Sequence, residues 1–326
     1  MSNNYIKNIA IVGAAGQQGK HVVNALLATG KHSVTAVTRE DSTNTDSIAS
    51  GVTIKKVNYE NQDSLVTALK GQDCLIITMS VQAPPGTSEK LIEAAAKAGV
   101  PWILPNEWGS DYNNEQLSKD IFIGVVAQKN RALIEKLGVS SWIGISCGFW
   151  YQYSLGTSPI LYGFDFQNRA VTFYDEGKQP LNTSTWEQTA LAVAKILSLP
   201  ISGAGSDEMT LEKDFKNTYA NINSFRLSQK DMFESVKRVT GTTDADWKIN
   251  YQPSKERYEE GLKQYQGGDR MGFGKLLYAR MFYPGLEVPD PINEKLGLPK
   301  EDLDECTKGA IERSEMIAKS RGAGAS

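Results

Sequence analysis

The sequence predicts an α/β protein, a doubly wound parallel sheet with a smaller C-terminal lobe. Three observations predict it. Short apolar runs of strand length alternate with amphipathic segments of helix length through the first half of the chain. The first such run leads into three glycines spaced by three, and then into a helical pattern. The chain has 326 residues, enough for a large core and a second lobe.

The first strand is Ile9, Ala10, Ile11 and Val12, apolar and partly β-branched, as suits a strand buried on both faces. Gly13, Gly16 and Gly19 follow, and from Lys20 the pattern is helical, with Val22, Val23, Leu26 and Leu27 on one side and Gly30 as C-cap. Strand, glycine turn and helix together form a site for a nucleotide pyrophosphate. Gly13 allows the tight turn, Gly16 lets backbone approach the phosphates, and Gly19 lets the helix pack on the strand. The helix start, with Gln17 and Gln18, offers free N–H groups and a positive dipole end to the anion.

The alternation continues. Ser33 to Thr38 reads as the second strand and Val52 to Val57 as the third, followed by a short helix from Asp63 to Leu69. Cys74 to Thr78 is an apolar strand, and Ser88 to Ala98 a helix ending at Gly99. Trp102 to Leu104 is a fifth strand, a helix ends near Leu137 before Gly138, and Trp142 to Ser146 is a sixth strand. Ligands of such a sheet bind at the C-terminal ends of its strands, which brings Thr78, Asn106 and Cys147 beside the cofactor.

The second half is less regular. Ser184 and Glu187 read as a capping box ahead of a helix from Ala190 to Leu199, and Ser228 and Asp231 as a weaker start signal. Tyr265 to Phe273 and Phe282 to Pro291 read as loops, and a small-residue tail from Gly322 is expected to fray. The division is residues 1–156 for the nucleotide-binding domain and 157–326 for a substrate lobe, some of whose segments return to the first domain.

Composition narrows the function. Net charge is −3, which offers no general basic surface to nucleic acid. No apolar run reaches membrane-spanning length, and the first strand begins too early to leave room for a signal peptide, so a cytoplasmic protein is expected. Cys74, Cys147 and Cys306 are far apart, show no zinc spacing and suit a reducing compartment. His21 and His32 lie away from the strand ends, which argues against a His-based triad or a metal site.

The residue after the second strand decides the cofactor. A carboxylate there would bind the ribose hydroxyls of NAD, but this chain has Thr38 and Arg39, a hydroxyl and a guanidinium that can pair with a 2′-phosphate. NADPH is the cofactor expected. The other reading of Arg39 is a solvated arginine beside Glu40.

These residues carry a resemblance. Gly13, Gly16 and Gly19 in GAAGQQG, the Thr38–Arg39 pair, LPNEWG at Leu104 to Gly109, Leu133 to Gly138 and SCGFWY at Ser146 to Tyr151 resemble the NmrA-like and isoflavone-reductase-like branch of the atypical short-chain dehydrogenases, especially its fungal oxidoreductase members. The resemblance covers about the first 155 residues. It implies a Rossmann-like domain, NADPH, and reduction of small, often aromatic, natural products of secondary metabolism. Some relatives instead bind the cofactor and regulate partners.

Two positions depart from the family. The lysine that works beside the nicotinamide in the reductases falls on Ala127, and Lys129 is two residues later, about 200° around an ideal helix. Either the helix is shifted or Lys129 is a solvated lysine. Ser88 stands where a glutamine often precedes the fourth helix. Tyr174 and Lys178, and Tyr251 and Lys255, match a Tyr-x-x-x-Lys spacing, but Gly177 and Pro253 argue against a helix at either. A proton would come from Lys129, Tyr151, Tyr153 or water. Trp108, Trp150, Tyr151 and Tyr153 are expected to wall the substrate pocket, with Phe149 at the interface between lobes. The function expected is an NADPH-dependent reductase of a small aromatic or conjugated carbonyl or enone. The alternative is a non-catalytic NADP-binding sensor.

Overall fold

The computed structural model describes residues 4–80, 83–203, 205 and 208–323. β1 (Asn8–Val12) is buried on both faces, with Ile9 and Ile11 in the core on one side of the sheet and Ala10 and Val12 in the core on the other. α1 (Gln17–Ala28) buries Val22, Val23 and Leu26. β2 (Ser33–Arg39), β3 (Thr53–Val57) and α2 (Gln62–Leu69) follow. Asn61 caps α2 by accepting from the N–H groups of Asp63 and Ser64, a contribution of about 1 kcal/mol. Then come β4 (Cys74–Ile77), α3 (Thr87–Ala98), β5 (Trp102–Leu104), β6 (Trp108–Gly109), α4 (Glu115–Ile121), α5 (Ile123–Leu137) and β7 (Ser141–Ser146).

The second half opens with β8 (Phe149–Trp150), α6 (Tyr151–Gly156), α7 (Pro159–Tyr162), β9 (Phe164–Asp165), β10 (Ala170–Tyr174) and β11 (Leu181–Ser184). It continues with α8 (Trp186–Leu197), α9 (Leu211–Asp214), β12 (Thr218–Asn221), β13 (Phe225–Leu227), α10 (Gln229–Thr240), β14 (Lys248–Gln252), α11 (Ser254–Gln266), α12 (Met271–Met281) and α13 (Leu303–Ala323).

The main sheet runs β12–β7–β5–β4–β1–β2–β3, with β6 also paired to β7, and every one of these pairings is parallel. The chain winds outward from β1 through β2 to β3, then returns to the other side of β1 for β4, β5 and β7. This is a Rossmann-like, doubly wound sheet, and its crevice opens where the winding reverses, between β1 and β4. Residues after 156 return to it. β12 extends the sheet beside β7, and α8 buries Ala190, Val193, Ile196 and Leu197 in the same core as Val22, Val23 and Leu26 of α1.

The smaller lobe has its own core of large rings, among them Tyr151, Phe164, Phe173, Phe233 and Phe282. Around it lie two three-stranded sheets, β14–β10–β9 and β13–β11–β8.

Three expectations are corrected in this half. The Tyr265–Phe273 segment is mostly helical, because α11 runs to Gln266 and α12 starts at Met271. Gly261 and Gly272 let these helices touch: a Cβ at Gly261 would lie 2.6 Å from the Leu276 nitrogen. Close packing there outweighs the poor helix propensity of glycine. Ser184 is the last residue of β11, and α8 begins at Trp186 rather than Ala190. Its cap is Thr185, whose hydroxyl accepts from the Gln188 N–H at 2.9 Å. The weaker signal is the complete capping box: Ser228 and Asp231 each accept from the other's backbone N–H. The tail helix α13 extends to Ala323, and 324–326 lie outside the described residues. No described helix is long and apolar enough to cross a membrane.

Candidate functional site

The glycine turn is built as its spacing requires. Gly13 has φ +85°, and a Cβ on it would run into the carbonyl of Thr78. A Cβ on Gly19 would run into the carbonyl of Gly13. The Gly16 N–H donates to Gly13 O at 2.8 Å and closes the turn. Gly16 is the N-cap of α1, no side chain caps the helix, and its first turn carries no acidic residue. The first N–H groups, including those of Gln17 and Gln18, are therefore available to an anion. Gln18 adds a second indication. Its side chain is buried, and neither amide atom has a hydrogen-bond partner among the described residues. A buried amide left this way fits a place where a ligand supplies the partner. The turn, the bare helix end and this amide fit the pyrophosphate of a dinucleotide.

Thr38 and Arg39 end β2, one strand from β1. Arg39 is exposed, and its Nε lies 3.5 Å from the carboxylate of Asp41, not Glu40. An exposed pair of this kind is worth about 0–1 kcal/mol, so a phosphate dianion can replace it.

The ends of β4, β5 and β7 form the adjoining floor. Thr78 donates to Val12 O through both its N–H (2.9 Å) and its hydroxyl (2.8 Å), which presses it against Gly13. Asn106 holds the next residue: its Oδ1 accepts from Met79 N–H at 3.0 Å, and its Nδ2 donates to Met79 O at 3.1 Å. The Trp108 indole donates to Ile77 O at 2.8 Å. Cys147 is wholly buried, burial pushes its thiol up to about 12, and its backbone is engaged by Gly109 and Ser184, so the thiol is no nucleophile.

A buried ionic group lies beneath this floor, and sequence reasoning missed it. Glu107 sits between Asn106 and Trp108, and its carboxylate accepts from the hydroxyl of Tyr219 on β12. Arg131 on α5 has its Nε 3.7 Å from the other carboxylate oxygen. Burial raises the Glu107 carboxyl above the usual carboxylate range, and Tyr219 and Arg131 oppose the shift. The motif LPNEWG contained Glu107, but nothing local marks Tyr219, which is 112 residues away.

The aromatic wall differs from its expectation. Tyr151 is fully buried in the smaller lobe, with its hydroxyl on that of Thr307 at 2.8 Å, and burial raises the phenol far above its ordinary range. It is neither an exposed wall nor a ready proton donor. Trp150 and Tyr153 gather around Trp186 of α8, with ring centroids 6.3 and 6.5 Å away, and Arg313 of α13 lies over Tyr153 at 5.0 Å. His21 stacks on the same Trp186. Phe149 stacks on Tyr278 of α12 at 3.8 Å. These rings join the lobes. Trp108 is half-buried against the α1 side of the main core.

Lys129 is exposed, whereas Ala127 is in the buried face of α5. The helix is regular here, so Lys129 is the solvated lysine and not a replacement for the residue at Ala127. Neither Tyr-x-x-x-Lys pair is on one helix: Tyr174 ends β10, and Tyr251 and Lys255 belong to β14 and α11. His32 is structural, bonding Ile6 O at 2.8 Å and Ser198 Oγ at 3.0 Å.

Comparison with known proteins agrees with this fold. The model of the NmrA-like family matches residues 6–156. The chain is 28% identical over 310 residues to the oxidoreductase aprR of Aspergillus flavus, covering 91% of this chain and 96% of that one. It is 35% identical over 162 residues to the phenylcoumaran benzylic ether reductase TP7 of Nicotiana tabacum, covering 46% of this chain and 51% of that one. Among solved structures, AtPrR2 with NADP+ and (+)pinoresinol is similar at TM-score 0.73 and 18% identity, over 93% of this chain and 98% of that one. The Citrobacter sp. triphenylmethane reductase complexed with NADP(H) is similar at TM-score 0.64 and 18% identity, over 93% and 99%. The structural likenesses describe the fold. Residues 6–156 are similar to the NmrA-like family.

Proposed function

We propose that this chain is an NADPH-dependent reductase of a small aromatic or conjugated carbonyl or enone. The observation that carries the reading is the uncapped start of α1 at the glycine turn, with the unpartnered Gln18 amide beside it and Arg39 one strand away. The aprR oxidoreductase and the plant reductase are consistent with it.

The division of labour follows from the residues. NADPH supplies a hydride when bound. The first N–H groups of α1 hold the pyrophosphate, and Thr38 and Arg39 hold the 2′-phosphate. Thr78, Met79 and Asn106 would line the reactive end of the cofactor. With Ala127 at the position where the resemblance places a lysine, Lys129 exposed and Tyr151 locked to Thr307, the proton comes from Tyr153 or water. Conjugated acceptors tolerate this, because delocalisation stabilises the anion left by hydride addition.

Ala127 also favours a second reading, a non-catalytic NADP-binding sensor. Titration with NADPH and NADH, followed by NADPH oxidation on a panel of quinones, enones and aromatic carbonyls, separates the two. Turnover of any member supports the reductase, and tight NADPH binding with no turnover supports the sensor.

A further inference from the structure

We infer that Glu107 is a positioning residue, a buried anchor that fixes the turn carrying Asn106 and Trp108 at the mouth of the crevice. The kinetic consequence rests on the reductase reading above; the structural consequence does not.

Three consecutive side chains hold this turn from three directions. Asn106 reaches sideways to both backbone polar groups of Met79. Trp108 donates to Ile77 O and packs against the core on the α1 side of the sheet. Glu107 points to the opposite face, where Tyr219 and Arg131 belong to the buried surroundings of α5 and β12. Regular structure gives little support here, since β5 has ended at Leu104 and β6 is two residues long. The turn is tight, with the Glu107 N–H donating to Pro105 O at 2.7 Å.

Glu107 is the buried anchor of the three. Its side chain is 1% exposed and that of Arg131 8%, so removing the carboxylate leaves the Arg131 Nε without its counter-charge, while the rest of the guanidinium stays on Asn113 and over the Trp142 and Tyr219 rings. The turn would then relax about the backbone torsions flanking Glu107, and the shift would pass through Asn106 to Met79. A misplacement of about 1 Å costs on the order of a hundredfold in rate at such a site.

The test uses the full chain labelled with fluorotryptophan, with the Trp108 resonance assigned from Trp108→Phe. Tyr219→Phe removes the hydroxyl that holds Glu107 and keeps the ring, and Tyr219 is on the face of the sheet opposite Trp108. The inference expects the Trp108 fluorine resonance to shift or broaden in Tyr219→Phe. Trp142, edge-on to Tyr219 at 5.6 Å, responds in any case and is not the readout. In Glu107→Gln, kcat is expected to fall about tenfold or more while the Kd for NADPH stays within about twofold, because the phosphate contacts lie elsewhere. An unmoved Trp108 resonance in Tyr219→Phe overturns the inference, as does a folded Glu107→Gln with unchanged kcat. If the wild-type protein turns over nothing, the reductase reading fails by itself, and the Trp108 resonance alone decides the role of Glu107.

Discussion

The turn after β1 and the wall after β7 both border the crevice, and they are specified in different ways. The turn is a backbone device. Gly13, Gly16, Gly19 and Thr78 constrain one another through main-chain contacts, and three of the four lie within seven residues. The wall is a side-chain device. Phe149 needs Tyr278, Trp150 and Tyr153 need Trp186, and Tyr151 needs Thr307, 156 residues away. Mutations in the turn should therefore strike binding, and mutations in the wall should strike stability first.

The largest effect is expected at the turn. Gly19→Ala puts a methyl into the Gly13 carbonyl and should weaken NADPH by at least about a hundredfold in a calorimetric titration. Binding within about threefold of wild type would detach the turn from the cofactor. Next is the wall. Trp150→Ala should cost about 2 kcal/mol in denaturant unfolding, with little change in KM for the surviving protein. A raised KM at unchanged stability would break the comparison and return Trp150 to the pocket.

Arg39→Ala is a smaller test of the turn side. It should weaken NADPH about tenfold and NADH less than about twofold, since only NADPH carries the 2′-phosphate. A pH effect tests the wall side through α13. Hydrogen bonds from Arg238 and Ser235 hold the Asp304 carboxyl at about 2 instead of 3.8. A depressed carboxyl stabilises the fold above its unfolded value, so this contribution is present above pH 3.8 and lost as pH falls through about 2. Asp304 is partly exposed, so screening keeps the contribution well under about 1 kcal/mol. Asp304→Asn should be slightly less stable than wild type near neutrality, and the two should converge in acid unfolding. The smallest effect is at Lys129→Ala, which should leave turnover unchanged and the melting temperature within about 1 °C.

The same contrast explains what the sequence reveals. Strand–turn–helix order, the glycine spacing and the Thr38–Arg39 pair are local, and local chemistry can be read residue by residue. The start of α8 is ambiguous because Ser184, Thr185 and Glu187 all carry capping chemistry, and only the pairing of β11 with β13 and β8 decides that Ser184 stays in a strand. The α11–α12 hairpin is hidden because its glycines serve contact between helices, which looks like a loop signal until the partner helix is known. Glu107 is visible as a letter in a motif, but its partners come from α5 and β12, and no spacing announces them.

The crevice is read as binding NADPH for transfer of a hydride. The most direct measurement is NADPH oxidation by the purified chain across a panel of quinones, enones and aromatic carbonyls, repeated with NADH. Steady turnover of at least one conjugated acceptor is expected, with NADPH preferred by about tenfold or more through Arg39. Tight NADPH binding with no acceptor reduced would contradict it.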